Sequence, residues 1–478
     1  MIRCSRRLLA CLTCAAVACT TVSSLGSAAA ASPASLSESQ AQAIGTDAYV
    51  YGTSLMEFLR QRATQTSVTV PNALSDAPVN QFGNQRNLAS AAHQVFVAPN
   101  NDTLYSMAHL DLSKGPLVLH VPKVKHHRYY VMEFIDPYTN DFHYVGTRTT
   151  GDGAHDFVIV GPHFHGKLPA GLRVIRSSYD RVWICGRTLV YGPSDLSAVH
   201  KIQDGYKLIP LRAYNNVGLK YTPPRPKRVI TTHTAAHVPT GLRFFDALGT
   251  AMAQNPPPAR DAEILRELKT VGIGPGLHPS TEHLPAQVLA GLRAAVANGP
   301  ASVFALRSQF VLSSAPKHHG WYVAPSDIGN FGTDYNLRAV VAVYGIAANI
   351  PAEALYPVGS FDNTGQLLDG AHRYVIHIPA GNLPPVHAYW SFTAYNQNLY
   401  LVPNPIHRYS INQFTPGVKH NKDGSLDIYV QSTAPAGHRS NWLPSPSSGQ
   451  FEVILRMYWP KSGVINGSYI YPQITRIG

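Results

Sequence analysis

Hydrophobic positions along the chain switch between two periods. Ile44, Ala48, Tyr51, Leu55 and Phe58 recur at helical spacing, and Ser35-Leu36-Ser37-Glu38 has the spacing of a capping box with Ser35 as the cap. A helix over 36–61 is predicted. From Val95 to Leu189 short apolar and aromatic runs take over, at 117–121, 129–135, 157–160 and 182–184, parted by turn clusters such as Gly151-Asp152-Gly153. Several short strands with regular turns predict a β-sandwich. Residues 194–312 return to helical spacing. Ser194-Asp195 heads a helix reaching Lys207, followed by helices over 244–253, 260–269 and 286–310, the last interrupted at Gly299-Pro300. Pro223-Pro224-Arg225-Pro226 and Pro256-Pro257-Pro258 break this region. A second strand-rich stretch then runs to Ile477, clearest at 374–378, 388–395, 426–431 and 450–458.

The two strand regions resemble each other. His120-Val121-Pro122 leads to Arg128-Tyr129-Tyr130 as His377-Ile378-Pro379 leads to Ala388-Tyr389-Trp390, and Asp156-Phe157-Val158 has a counterpart in Asp427-Ile428-Tyr429. Two sandwiches of similar design are expected. The fold class is therefore α+β and multidomain: two antiparallel β-sandwich-like domains with an N-terminal helix and an intervening helical region. The boundaries fall at 1–31 for a targeting segment, 32–193 for the helix and first sandwich, 194–329 for the helical region, and 330–478 for the second sandwich.

Composition adds location. The chain has 478 residues, too many for one core. Only 14% are charged, against about 25% in an average soluble protein, while Tyr, Gly and Pro are plentiful. Arg3, Arg6 and Arg7 precede an apolar stretch and the small-residue run Ala28–Ala31, the order of a secretory signal. Ser5-Arg6-Arg7-Leu8-Leu9 resembles a twin-arginine export motif. The expectation is an exported protein, secreted or envelope-associated, with no transmembrane segment once the signal is removed. Cys4, Cys11, Cys14 and Cys19 lie in that segment, so Cys185 alone remains, and it sits in a strand-like run. A disulfide framework and a four-cysteine zinc site are excluded. The net charge of +12 is spread thinly, and no nucleic-acid module is present. The oligomeric state is not legible.

Several blocks then form a family pattern. Pro99-Asn100-Asn101-Asp102-Thr103-Leu104-Tyr105-Ser106, Leu110-Asp111-Leu112, and Arg128-Tyr129-Tyr130 to Asp136-Pro137-Tyr138-Thr139-Asn140 resemble domain-of-unknown-function family 1254. Gly332-Thr333-Asp334-Tyr335-Asn336-Leu337-Arg338, Trp390-Ser391-Phe392-Thr393, Asn441-Trp442-Leu443-Pro444 and Leu455-Arg456-Met457-Tyr458 resemble family 1214. The resemblance implies an exported bacterial protein with sandwich-like domains and no settled activity, loosely described in some members as a hydrolase. Gln397-Asn398 departs from the acidic residue or glycine often found at that turn.

No Gly-x-Ser-x-Gly elbow, His-Glu-x-x-His helix, phosphate loop or dinucleotide fingerprint occurs. His163 and His165 flank a turn, where histidine is ordinary, so neither a metal nor a cofactor is assigned. The candidate catalytic residues are Asp102, Tyr105, Asp334, Tyr335, Arg338 and Arg456; Asp136, Tyr138, Asn140, Trp390, Asn441, Trp442 and Tyr458 are candidate substrate contacts. Glu452, Ile454, Arg456 and Tyr458 share one strand face. An inward Arg456 implies a carboxylate partner or an anionic ligand, since an unpaired buried polar group costs about 1–3 kcal/mol. Two functions stay open. One is hydrolysis of a small ester, amide or envelope-derived molecule in a cleft between the sandwiches. The other is non-catalytic binding of an extracellular ligand or glycan. A third possibility is that these polar residues only tie loops and sheet edges together.

Overall fold

The computed structural model describes residues 36–92, 97–125 and 127–478. The targeting segment and Ser35 lie outside them. Helix α1 (Glu38–Gln65) starts at Ser37, not Ser35. The Ser37 hydroxyl accepts from the Gln40 N–H at 3.2 Å, and Gln40 accepts from the Ser37 N–H at 2.9 Å. This is the same capping box two residues later, with Gln in place of Glu.

The first sandwich contains β1 (Gly83–Asn84), β2 (Thr103–Asp111), β3 (Leu117–Val121), β4 (Tyr130–Ile135), β5 (Asp141–Gly146), β6 (His155–Val160), β7 (Arg173–Arg176), β8 (Arg181–Leu189), α2 (Leu196–Gly205) and β9 (Lys207–Pro210). Helices α3 (Leu211–Val217), α4 (Leu242–Gln254), α5 (Ala262–Lys269) and α6 (Ala286–Ser314) follow. The rest comprises β10 (Trp321–Tyr322), α7 (Tyr335–Tyr344), β11 (Ala354–Leu355), β12 (Val358–Gly359), β13 (Tyr374–Ile378), β14 (Val386–Asn396), β15 (Ser410–Asn412), β16 (Leu426–Gln431), β17 (Trp442–Pro444), β18 (Phe451–Pro460), α8 (Ser462–Ile465) and β19 (Ile474–Arg476).

The two sandwiches have the same topology. One has sheets β1-β2-β8-β4-β5 and β7-β6-β3-β9; the other has β10-β12-β18-β14-β15 and β17-β16-β13-β19. Every pairing in these orders matches in sense, including the parallel pairs β6·β7 and β16·β17, and β11, which also pairs with β18, is the second repeat's addition. Side chains keep the match. His120 Nδ1 lies 2.6 Å from Asp156 Oδ1 across β3·β6, and His377 Nδ1 lies 2.6 Å from Asp427 Oδ1 across β13·β16. After β4 and at the end of β14, Asp136 and Asn396 each accept from the backbone N–H groups two and four residues on. The likeness legible in the sequence is thus a repeat of the whole sandwich.

Each core lies between a repeat's two sheets. Leu119, Met132, Phe134 and Ile184 fill the first, and Ile376, Phe392, Ile428 and Leu455 the second. The long strands β2, β4, β8 and β18 are buried on both faces. Their inner face meets the partner sheet. Their outer face meets the other repeat, through Tyr129, Val131 and Leu189 against Ala354, Tyr389 and Tyr458. Polar residues on that outer face are therefore buried between the repeats. Two carboxylates cross the interface reciprocally. Asp102 accepts from Ser391 Oγ (2.6 Å), Ser410 Oγ (2.8 Å) and Asn412 Nδ2 (2.8 Å) of the second repeat. Glu353 accepts from Tyr129 Oη (2.7 Å) and pairs with Arg148 (2.5 Å) of the first.

Helices α1, α4, α5 and α6 share a third core built on Tyr51, Leu55, Phe245, Leu248 and Leu292. Helix α6 continues through Pro300 rather than breaking there. Proline removes one backbone hydrogen bond, but tertiary packing of both halves of α6 on α1 and α7 holds the axis.

Candidate functional site

The outer faces of the first repeat's five-stranded sheet and the second repeat's six-stranded sheet, with α6 and α7, line a partly open cavity of about 150 Å³. The first repeat contributes Tyr105 from β2 and Arg187 from β8; the second contributes Tyr356 and, from β18, Glu452, Ile454, Arg456 and Tyr458. The alternation read from the sequence thus points that whole β18 face into the cavity. Val340, Val341 and Tyr344 of α7 and Phe310 of α6 make an apolar wall.

The two repeats present matching groups. Arg187 stands opposite Val131, and Arg456 opposite Ser391. Tyr105 pairs with Arg187. β11 and β12 run in one register on β18, interrupted at Tyr356-Pro357, and that register sets Tyr356 opposite Arg456. An arginine and a tyrosine thus enter the cavity from each side.

Their charge environments differ. Arg187 Nη1 donates to Glu133 Oε2 at 2.5 Å, and its Nη2 donates to the Ala347 carbonyl at 2.6 Å. Glu133 has Asp141 beside it, and Asp141 accepts from Tyr144 Oη at 2.7 Å. Burial pushes the Glu133 carboxyl up despite Arg187. Burial and the Glu133 charge push Asp141 well up. Arg456, 3% exposed, donates to Thr393 Oγ1 (3.1 Å), the Ala98 carbonyl (2.9 Å) and Tyr395 Oη (2.7 Å). No carboxylate lies within 4 Å of it among the described residues. Arg307 pairs with Glu452. Burial raises the Tyr105 and Tyr356 phenols, so both stay neutral hydrogen-bonding groups. Tyr458 stacks on Tyr389 at 4.5 Å and accepts from Asn100 Nδ2 at 2.8 Å.

Of the residues singled out from sequence, Tyr105, Arg456 and Tyr458 meet in this cavity. The others lie elsewhere. Asp102 ties the repeats together, as above. Asp136 closes its turn on Tyr138 and Asn140, and the Tyr138 hydroxyl donates to the Asn255 carbonyl at 2.9 Å. Asp334 caps α7 through the Leu337 N–H at 2.8 Å. Tyr335 donates to Asp261 at 3.0 Å. Arg338 is fully buried under the rings of Tyr51, Tyr138 and Tyr335, 4.9–5.4 Å from their centroids. Trp390 belongs to the second core. Trp442 donates its indole N–H to the Gln431 carbonyl (2.7 Å), and Asn441 bridges Lys419 and Asp427 backbone groups. Sequence reasoning missed Asn100, Arg187, Arg307 and Tyr356. The signal for Arg187 was a lone charge in Trp183-Ile184-Cys185-Gly186-Arg187-Thr188-Leu189. Among the described residues no three His, Cys, Asp or Glu side chains gather as metal ligands.

These features define a duplicated β-sandwich protein with a small, partly open cavity between its halves. The chain pairs two families in order: residues 79–210 match the protein of unknown function family DUF1254, and residues 353–462 match DUF1214. Among solved structures, the VPA0106 protein from Vibrio parahaemolyticus is similar at 23% identity and a TM-score of 0.65, over 92% of this chain and 100% of that one. That likeness is one of fold. An uncharacterized protein from Burkholderia cenocepacia aligns over 90% of this chain and 88% of its own at 12% identity and a TM-score of 0.43. No curated protein matches the sequence.

Proposed function

We propose that this is an exported binding protein whose inter-repeat cavity takes up a small, largely apolar molecule. The observation that carries this reading is the cavity itself: about 150 Å³, walled by valines, tyrosines and Phe310, between two sheets. An engineered apolar cavity of about that volume in another protein takes up benzene, so a ligand with roughly six to ten non-hydrogen atoms suits it. Among the described residues its lining contains no Ser, Thr, Cys or His. Glu452, its one carboxylate, is engaged by Arg307. Hydrolysis needs a nucleophile or a base within reach of the bound group, so the geometry favours binding over the hydrolase expectation. The export expectation rests on residues 1–31 of the sequence.

The test is thermal stabilisation of the purified protein by a panel of small acids, amides, alcohols and arenes, repeated with Val341→Phe, which fills the cavity. Ligands should raise Tm in the native protein and not in the variant. Turnover of a chromogenic ester or amide that is lost in the same variant would reinstate the hydrolase.

A further inference from the structure

The duplication gives the cavity an internal reference, because each repeat reports what the other has changed. In the first repeat the cavity arginine, Arg187, has its countercharge built in at Glu133, on the neighbouring strand. In the second, the strand β14 runs Tyr389-Trp390-Ser391-Phe392-Thr393 where β4 and its preceding residue run Tyr129-Tyr130-Val131-Met132-Glu133. The register fixes this correspondence: Val131 opposes Arg187 as Ser391 opposes Arg456, and the turns at Asp136 and Asn396 close the two strands alike. Thr393 therefore occupies the place of Glu133. The hydrogen bonds agree, since Nη1 of Arg187 donates to Glu133 and Nη1 of Arg456 donates to Thr393.

We infer that the cavity selects an anion, a small carboxylate with an apolar body, and that Arg456 receives its charged end because Thr393 leaves the built-in countercharge out. This deepens the binding reading and rests on it. The other lining charges are already met, Arg187 by Glu133 and Arg307 by Glu452. Asp102, whose charge acts on Arg456, is occupied by Ser391, Ser410 and Asn412. A buried guanidinium whose partners are neutral oxygens is an incomplete ion pair. Tyr105, Tyr356 and Tyr458 supply neutral hydroxyls around it, and Val340, Val341 and Phe310 meet the apolar body.

The experiment is calorimetric titration of the full protein with benzoate and butyrate against benzamide and butyramide at pH 7, in the native protein and in Thr393→Glu. Each acid should bind at least tenfold more tightly than its amide. Thr393→Glu, which restores the first repeat's countercharge, should cut acid affinity at least tenfold and change amide affinity less than threefold. Should Thr393→Glu fail to fold, Arg456→Gln is read with the same probes and should erase the acid preference while amides still bind. Equal affinity for acids and amides, or an acid preference that survives these variants, overturns the inference and leaves the cavity reading standing. Binding of neither acids nor amides overturns both.

Discussion

The Asp102 carboxylate accepts three hydrogen bonds, all from the opposite repeat, and is 1% exposed. Asp102→Ala strands three donors, Ser391 buried and Ser410 and Asn412 half-buried, and a stranded buried donor costs about 1–3 kcal/mol, though hydroxyls can turn away. The expected loss is about 3–5 kcal/mol in urea unfolding, with Asp102→Asn losing less; an unmoved midpoint would remove Asp102 from the interface. The carboxyls of Glu133 and Asp141 set a pH dependence. Both are raised in the folded state, chiefly by burial. Above the unfolded carboxylate range near about 4, the folded chain holds more protons than the unfolded one, so stability falls as pH rises toward the folded values. Asp141→Asn should flatten that slope in denaturation midpoints measured from pH 4 to 8. Side-chain roles were legible where alternation decides facing, which is why Arg456 and Tyr458 were placed together. They were not legible where long-range packing decides. Arg338 reads as a catalytic cation, yet its guanidinium ends under three tyrosine rings brought from α1, the turn after β4 and α7.

Elements behave likewise. Strands with long alternating or doubly buried runs, such as β3, β13 and β16, are set by local sequence and match their predicted bounds. The two-residue strands β1, β10, β11 and β12 carry no periodic signal, because pairing with a longer neighbour creates them. Helix α6 is apolar and long enough to cross a bilayer by length alone. Here Val288, Leu292, Val296 and Val303 are buried inside the fold, while Phe304 and Leu312 are exposed. Its contact with α1 is backbone-close at Gly291, where an added Cβ would lie 2.4 Å from the Glu38 carbonyl and 2.7 Å from the Gln42 nitrogen. Neither neighbour is a flexible side chain. Gly291→Ala should therefore cost about 1–3 kcal/mol as overpacking, despite alanine's better helix propensity. A Tm at or above that of the native protein would mean the helices separate freely.

At the scale of the molecule, the two repeats meet like subunits of a two-fold dimer, each offering its sheet's outer face and one carboxylate to the other. The shared topology was visible in sequence only as paired His-x-Pro and Asp-led strands; which faces meet depends on contacts between residues more than 200 positions apart, such as Asp102 with Ser410. The joining chain is the weak covalent link. Residues 227–229 are exposed outside any helix or strand; the Arg228 carbonyl accepts from Thr69 Oγ1 at 2.7 Å, and Ile230, Thr231 and Thr234 continue that anchoring on the segment after α1. Trypsin should cut at Lys227, since Pro226 protects the Arg225 bond and Thr69 holds the Arg228 carbonyl. The cut separates α1 and the first repeat from α4 to α7 and the second. Those fragments share the α1·α6 and α1·α7 packing, the Asp102 and Glu353 ties and the cavity. Obligate interfaces of that apolar character hold without a covalent bond. A nicked sample should give two bands on a denaturing gel and one peak at the intact elution volume on size exclusion, and benzoate should stabilise it as it does the uncut chain. Two separate peaks would mean that the linker, and not the interface, holds the halves of the cavity together.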